Sequence, residues 1–161
     1  MYNLFMLEVN IRPAVISEVK TLQDLNNEVF IDNHKYDPDL KMGWSQSKDG
    51  GNKYFTNLLN NINSICLVAE VNQKIVGYIA TSPKEIGYRN SKYIEIDNMG
   101  VSSEYRSSGI GSQLIEKCFQ LAKEKGFQKF YVNAYSQNTK AIDFYKRNGF
   151  AEIDMSLEKA I

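Results

Sequence analysis

The sequence predicts a mixed α/β fold in which helices flank a central β-sheet. Two β-rich runs, 65-ICLVAEV-71 and 75-IVGYIATSP-83, are separated by a short polar turn, which is typical of an antiparallel hairpin. Strand-like and helix-like segments alternate after the hairpin, which indicates crossover connections through helices. The predicted order is β-α-α-β-β-β-α-β-α-β. Because no repeat or linker interrupts it, we expect a single domain over residues 1–161.

The first half of the chain is predicted to contain one strand and two helices before the hairpin. Residues 6–12 alternate apolar and polar side chains, as a strand does. Residues 17–34 carry apolar side chains at helical spacing, with Ser17 as the expected N-cap. Residues 34–52 have no clear period, and aromatic side chains in such loops often line a ligand site. A short helix is expected over residues 53–62.

The second half begins with a predicted strand over residues 93–101. Residues 112–125 form a clearly amphipathic helix, and Gly126 is its expected C-terminal stop. The remaining predicted elements are a strand over 129–135, a helix over 139–148 closed by Gly149, and an alternating strand over 150–158.

Composition and charge argue against several classes of function. The chain has 19 basic and 19 acidic side chains, so no surface for nucleic acid or an anionic membrane is favoured. No apolar run approaches the ~20 residues of a membrane span. The N-terminus lacks the pattern of a signal peptide, so we expect a cytoplasmic protein. Cys66 and Cys118 lack CxxC spacing and are expected to be buried, and no metal site is expected.

The stretch 106-RSSGIG-111 lies between a predicted strand and a predicted helix. The first turn of a helix leaves backbone N–H groups unpaired, and together with the helix dipole they attract anions. Glycines there let a phosphate approach the main chain, and Arg106 adds a cation. A P-loop would need Lys-Ser/Thr where Ser112 and Gln113 stand, and a dinucleotide fingerprint would need a glycine at Leu114. We therefore expect a pyrophosphate site of another kind.

This stretch matches the R/Q-x-x-G-x-G/A signature of the GCN5-related N-acetyltransferase (GNAT) superfamily. A second stretch, 138-NTKAIDFYKRNGF-150, resembles the family's N-x-x-A-x-x-F-Y-x-x-x-G-F hallmark. The resemblance is firm from about Cys66 to Phe150 and loose before that. It implies an acetyl-CoA-dependent N-acetyltransferase, in which a splayed strand pair opens a V-shaped cleft. The acetyl group would move directly to a primary amine in a ternary complex.

The resemblance also implies which residues bind the donor. The backbone of Met99, Gly100 and Val101 is expected to contact the pantetheine arm and the acetyl carbonyl, where an N–H would stabilise an oxyanion. Gly100 is further expected to mark a β-bulge, because glycine weakens regular strands. The residues expected to hold the pyrophosphate are Arg106, Ser107, Ser108, Gly109, Ile110, Gly111 and Ser112. Asn138 is expected to bond the pantetheine arm and to cap the helix that it begins.

The resemblance places a general acid for the CoA thiolate at Tyr145. Packing is the competing explanation, because Ala141, Phe144 and Tyr145 form an i, i+3, i+4 stripe that would face the sheet. Phe144 satisfies that explanation fully, whereas Tyr145 also carries a hydroxyl that a buried position would have to satisfy.

The acceptor amine requires a base. An amine with a pKa of ~10.4 is almost wholly protonated at neutral pH, and a carboxylate can take its proton directly or through water. Glu95 and Asp97 are two residues apart and are expected on one face of their strand. Glu95 resembles the catalytic glutamate of the histone acetyltransferase branch. The choice between Glu95, Asp97 and a water chain stays open.

The acceptor side is expected in residues 29–54 and 84–92, which carry no recognised subfamily motif. Tyr36, Trp44 and Asp97 are predicted to contact the substrate. Tyr36 and Trp44, together with Asp32, Asp37 and Asp39, would suit a cationic amine with an apolar stem, such as a polyamine or a lysine side chain.

Two other interpretations of the chain are open. One is a non-catalytic domain that binds or senses acyl-CoA. The other is a structural or protein-interaction domain, which leaves the paired glycines and Arg106 without an explanation. The sequence decides neither the acceptor, nor the preferred acyl chain, nor whether the protein forms a homodimer.

Overall fold

The computed structural model describes residues 8–161. In chain order, the strands and α-helices of this part are β1 (Asn10–Pro13), α1 (Val19–Asn33), α2 (Lys53–Asn60), β2 (Ile65–Val71), β3 (Lys74–Lys84), β4 (Tyr93–Val101), α3 (Ile110–Glu124), β5 (Lys129–Val132) and α4 (Thr139–Arg147). The strands form one sheet in the order β1-β2-β3-β4-β5. All pairs are antiparallel except β4 and β5, which are parallel. The predicted mixed α/β fold is confirmed.

Helices cover both faces of the sheet. On one face, Leu22 of α1 and Phe55 of α2 pack with sheet residues such as Tyr78, and all three are fully buried. On the other face, Leu114 of α3 packs against sheet residues such as Ile79. Both cysteines are buried and free, as expected of small apolar side chains. No helix in the described part of the chain is long and apolar enough to span a membrane.

The strands β4 and β5 separate after a short stretch of pairing. They pair only from Tyr93 opposite Lys129 to Ile96 opposite Val132, whereas β4 continues to Val101 beside β3. The register with β3 shifts at the same point, because Ala80 pairs with Asn98 while Thr81 pairs with Ile96. Asp97 is therefore the extra residue of a β-bulge, and such bulges bend a strand and redirect its side chains. The expected splayed pair is confirmed.

Gly100 does not mark this bulge, so that prediction is wrong. It pairs regularly with Tyr78 of β3. A Cβ at Gly100 would lie 2.7 Å from Cγ2 of Val29 and 3.3 Å from Cε1 of Tyr78. The glycine is thus required because α1 passes close over β4.

Substituting alanine at Gly100 tests this close approach. The Gly100→Ala variant is expected to lose about 1–3 kcal/mol of unfolding free energy, because the new methyl group overpacks the contact between α1 and β4. Urea denaturation measures the loss. Gly43→Ala is the matched control, because a Cβ there has no neighbour within 4 Å, and its stability should change by no more than about 0.5 kcal/mol. Equal losses in the two variants would contradict this explanation.

The start of α1 differs from the prediction. Ser17 lies inside a 3-10 turn over Ile16–Glu18 and is not the N-cap. The Glu18 carboxylate instead accepts a hydrogen bond from the Val15 N–H at 2.9 Å and pairs with Arg12 at 2.7 Å. This ion pair fixes the entry into α1 without a serine cap. The predicted strand over 6–12 begins outside the described residues, and of its described part only residues 10–12 lie in β1.

The predicted strand over residues 150–158 is wrong, because this segment has no regular secondary structure. Apart from Phe150, which is partly buried against the core, its apolar side chains are exposed, with 77% exposure for Met155 and 90% for Leu157. Alternation specifies a strand only where one face meets a core, and beyond Phe150 neither face is buried. Strand β5 also ends at Val132, three residues earlier than predicted, so the two segments form no ladder.

Candidate active site

A cleft of about 1730 Å³ opens where β4 and β5 separate. Typical small-molecule sites have volumes of ~300–1,000 Å³, so this cleft has room for more than one ligand. The predicted site residues that line it are Tyr36, Trp44, Asp97, Met99, Asn138 and Tyr145. The structure therefore brings together residues from the loop over residues 34–52, the bulged strand β4 and α4.

The remaining predicted residues lie outside the cleft lining. Glu95 is on the paired part of β4, and Gly100 and Val101 are near its end. The glycine turn over residues 106–112 follows β4 and begins α3.

The glycine turn presents a run of unpaired backbone donors. Ser107 and Gly109 have positive φ angles of 62° and 85°, which expose successive N–H groups on one side of the chain. The first helical bond of α3 runs from Gln113 N to Gly109 O at 3.1 Å. Within residues 8–161, the N–H groups of residues 107–112 donate to no acceptor. Such a turn at a helix N-terminus attracts an anion.

The two glycines of this turn are required for different physical reasons. Gly109 is required by its left-handed backbone conformation and not by packing, since a Cβ there would meet nothing within 4 Å. Gly111 is required by packing, because a Cβ would lie 3.0 Å from Cζ of Phe144. Explaining both glycines by the approach of a phosphate is therefore incomplete, since Gly111 also makes room for α4.

Arg106 ties the glycine turn to α1. Its Nε donates to the Val101 carbonyl at 2.9 Å, and its NH2 lies 2.7 Å from a carboxylate oxygen of Asp32. Asp32 is therefore paired with Arg106 beside the glycine turn, although the sequence analysis grouped it with the residues expected on the acceptor side. The other neighbouring carboxylate, Glu28, lies 3.8 Å from the guanidinium.

Tyr145 presents a free hydroxyl to the cleft. Its ring packs on Phe144 and Phe150, with centroids 5.3 and 5.5 Å away. No residue in the described range forms a hydrogen bond with its hydroxyl, and burial raises the pKa of Tyr145 to about 12. The phenol is therefore protonated at neutral pH and available as a hydrogen-bond donor.

Glu95 and Asp97 share a face of β4, as predicted, but have different surroundings. Glu95 pairs with Lys84 at 2.8 Å and accepts from Asn133 Nδ2 at 3.1 Å. Asp97 lines the cleft and accepts from the hydroxyls of Tyr54 and Ser82, both at 2.7 Å. Desolvation raises the pKa of Asp97, and these two hydrogen bonds oppose that rise.

Aromatic rings line the part of the cleft next to residues 29–54, where the sequence predicts the acceptor. Trp44 stacks on Phe30 with centroids 5.6 Å apart, and its ring is 5.8 Å from that of Tyr54. Tyr36 stacks on Tyr135 at 6.1 Å. These rings form an apolar wall that also suits a cation.

The charge of the cleft is negative. In the described part of the chain, its lining carries six carboxylates and one cationic side chain, Lys146. The carboxylates are Asp37, Asp39, Asp97, Glu152, Asp154 and Glu158. A cleft lined by charges of one sign raises the local concentration of a ligand of the opposite charge, which here is a cation.

Sequence reasoning missed Asn26, Ser82 and Asn98 near Asp97, and it placed Ser45 and Tyr54 only within the expected acceptor range of residues 29–54 without singling them out. One signal was available, because Asn26 lies four residues after Leu22 and so occupies the core-facing stripe of α1. The described residues contain no cluster of three or more His, Cys, Asp or Glu side chains that could hold a metal.

Comparisons with known proteins agree with this geometry. The model of the acetyltransferase (GNAT) family matches residues 22–150. An N-acetyltransferase from Methanocaldococcus jannaschii, itself uncharacterized, is 35% identical over 100 residues, which cover 62% of this chain and 44% of that protein. An N-alpha-acetyltransferase from Sulfurisphaera tokodaii is 26% identical over 155 residues, which cover 91% of this chain and 82% of that protein. The chain thus spans less than half of the first relative.

Among solved structures, the aminoglycoside N-acetyltransferase AAC(6')-Iy in complex with CoA has the same fold. The TM-score is 0.75 at 14% identity, and the match covers 96% of this chain and 95% of that one.

Proposed function

The chain belongs to the acetyltransferase (GNAT) family, and we propose that it is an N-acetyltransferase that moves an acetyl group from acetyl-CoA to a cationic primary amine with an apolar stem. One observation carries the choice of acceptor. The cleft where β4 and β5 separate combines a carboxylate-rich lining with stacked aromatic rings. Such a lining favours an ammonium group on an apolar stem over a neutral or anionic amine.

The residues present fit acetyl-CoA. The unpaired N–H groups of residues 107–112 suit a pyrophosphate. Beyond Ile96, the edge of β4 that faces away from β3 has no partner strand among residues 8–161, and this edge suits the amide groups of a pantetheine arm. Asn138 caps α4 by accepting from the Ala141 N–H at 3.2 Å, and it lines the same cleft. When bound, acetyl-CoA supplies the acetyl group as a thioester. A protein of the same fold, AAC(6')-Iy, is known in complex with CoA.

Asp97 is the residue that we propose takes the proton of the acceptor. Deprotonating an amine with a pKa of ~10.4 at pH 7 costs about 4.6 kcal/mol, so a positioned acceptor of that proton is needed. Asp97 lines the cleft and, among residues 8–161, has only neutral hydroxyl partners, whereas Glu95 lies outside the cleft lining and is paired with the Lys84 cation. Glu95 stays a sequence-based prediction and is the direct competitor in the tests below.

Tyr145 is proposed to stabilise the leaving thiolate. As the C–N bond forms and the C–S bond breaks, negative charge develops on sulfur. Because burial raises the pKa of Tyr145 to about 12, full proton transfer from this phenol to a thiolate with a conjugate pKa of ~8.5 would be uphill. Tyr145 therefore acts by donating a hydrogen bond.

The proposal is tested by incubating the purified chain with acetyl-CoA and a panel of cationic, neutral and anionic amines. We expect release of free CoA thiol with at least one cationic amine. Turnover confined to neutral or anionic amines would contradict the choice of acceptor. Stabilisation by acetyl-CoA without any turnover would favour the sensing domain, since a ligand at 100 times its Kd adds about 2.7 kcal/mol of stability.

A further inference from the structure

A chain of directed hydrogen bonds runs from the buried side of α1 to the cleft. Ser45 Oγ donates to Asn26 Oδ1 at 2.7 Å, and Asn26 Nδ2 donates to Asn98 Oδ1 at 3.3 Å. Asn98 Nδ2 donates to the Tyr54 hydroxyl at 3.2 Å, and this hydroxyl donates to Asp97 Oδ2 at 2.7 Å. Every donor in the chain is therefore directed toward the Asp97 carboxylate.

The inner members of this chain occupy positions where an apolar side chain would be the ordinary choice. Asn26 is 1% exposed and Ser45 is 0% exposed. Asn26 lies on the stripe of α1 that also buries Leu22 and Leu25. Burying a polar group costs free energy unless its hydrogen bonds are made, and here each inner member has a partner. The polar residues thus support something that packing alone does not require.

We infer that Tyr54, Asn98, Asn26 and Ser45 are positioning residues that hold the Asp97 carboxylate in one orientation toward the acceptor amine. This inference rests on the proposed function, in which Asp97 takes the proton. Ser45 follows Trp44, which lines the acceptor side of the cleft. The same chain of hydrogen bonds therefore fixes the loop over residues 34–52 relative to Asp97.

The surroundings of Asp97 set the direction of the expected effect. Hydrogen bonds from Ser82 and Tyr54 and the charge of Lys84 lower the pKa of Asp97, whereas desolvation and the charge of Glu95 raise it. Burial keeps the Tyr54 phenol protonated, because it raises the pKa of Tyr54 well above its usual range. The other ionisable groups that line the cleft are Tyr36, Asp37, Asp39, Tyr131, Tyr135, Tyr145, Lys146, Glu152, Asp154 and Glu158. Removing the Tyr54 hydroxyl should therefore raise the pKa of Asp97.

The test is an NMR titration of the Asp97 side-chain carboxyl in the whole protein. Tyr54→Phe is expected to raise the pKa of Asp97 by about one unit, because a hydrogen bond to a charged group contributes ~1.4 kcal/mol or more. Ser45→Ala and Asn26→Leu are expected to raise it by less. The matched control is Tyr78→Phe, because Tyr78 accepts from Asn26 at 3.0 Å but leads away from Asp97, and it should cause no shift. Ser45→Ala keeps the core volume, so it tests transmission even where Asn26→Leu fails to fold.

An unchanged pKa of Asp97 in Tyr54→Phe would overturn the inference, as would equal shifts in Tyr54→Phe and Tyr78→Phe. With a substrate in hand, the acidic limb of kcat/KM should move to higher pH by the same unit in Tyr54→Phe. The two proposals fail separately. If the pKa shifts as expected while Asp97→Asn keeps its kcat, the catalytic role of Asp97 is wrong and the hydrogen-bond chain stands. If Asp97→Asn loses kcat while none of Tyr54→Phe, Asn26→Leu and Ser45→Ala shifts the pKa of Asp97, the positioning role is wrong.

Discussion

The Asp97→Asn variant is expected to lose at least about a hundredfold in kcat toward a cationic amine and to keep its affinity for acetyl-CoA. Asparagine has nearly the same size, and its Oδ1 can accept from one of the hydroxyls of Tyr54 and Ser82 while its Nδ2 donates to the other after that hydroxyl rotates, so the bulge in β4 is retained. It cannot take a proton, and a positioned general base contributes ~10²–10⁴ in rate. Steady-state kinetics measure kcat, and calorimetry measures the acetyl-CoA Kd.

The deficit of Asp97→Asn should shrink as the pH rises toward the amine pKa of ~10.4, because more of the amine is then neutral without help from the protein. Glu95→Gln is the matched control. Since Glu95 is paired with Lys84 and lies outside the cleft lining, the kcat of the Glu95→Gln variant is expected to change by only a few fold. A larger loss in Glu95→Gln than in Asp97→Asn would return the base to Glu95, as the sequence predicted.

The Tyr145→Phe variant is expected to lose about ten- to a hundredfold in kcat, again with little change in acetyl-CoA affinity. A hydrogen bond to a charged group contributes about 1.5–3 kcal/mol, which is the range of that loss. Within the described residues the hydroxyl has no partner, so its removal should leave the free energy of unfolding nearly unchanged. Because the pKa of Tyr145 is about 12, no alkaline limb from this residue is expected below about pH 11.

Tyr93→Phe separates this role from the general effect of losing a phenol. Tyr93 is buried at the other end of β4, accepts from Arg89 at 3.0 Å and does not line the cleft. Its kcat should stay at the wild-type value. Equal losses in Tyr93→Phe and Tyr145→Phe would mean that tyrosine hydroxyls act through stability rather than through the leaving thiolate.

Local patterns explain why the sequence predicted much of the fold. The bounds of β2 and β4 agree with the prediction, because each is a continuous β-rich run between polar segments. Gly126 and Gly149 end their helices with φ angles of 82° and 88°, as helix stops do. The glycine turn could likewise be predicted as an anion site, because the residues that form it are contiguous in the sequence.

The acceptor half of the site depends on contacts between distant segments, which the sequence pattern does not encode. Asn26 and Asn98 are 72 positions apart, yet they meet in the chain that leads to Asp97. The bulge at Asp97 arises from a register shift against β3, and no residue type at that point signals it. Similarly, the alternation over residues 150–158 suggested a strand, but whether a strand forms depends on a neighbouring edge.

The most direct test of a cationic acceptor is the ratio of kcat/KM for an alkyl diamine to that for a monoamine of the same chain length. Both present the same reacting amine, and only the diamine offers a second ammonium group to the carboxylates of Asp37 and Asp39. We expect the diamine to be preferred at least about tenfold, which corresponds to ~1.4 kcal/mol. Equal values, or a preference for the monoamine, would contradict the proposal that the acidic cleft selects the acceptor.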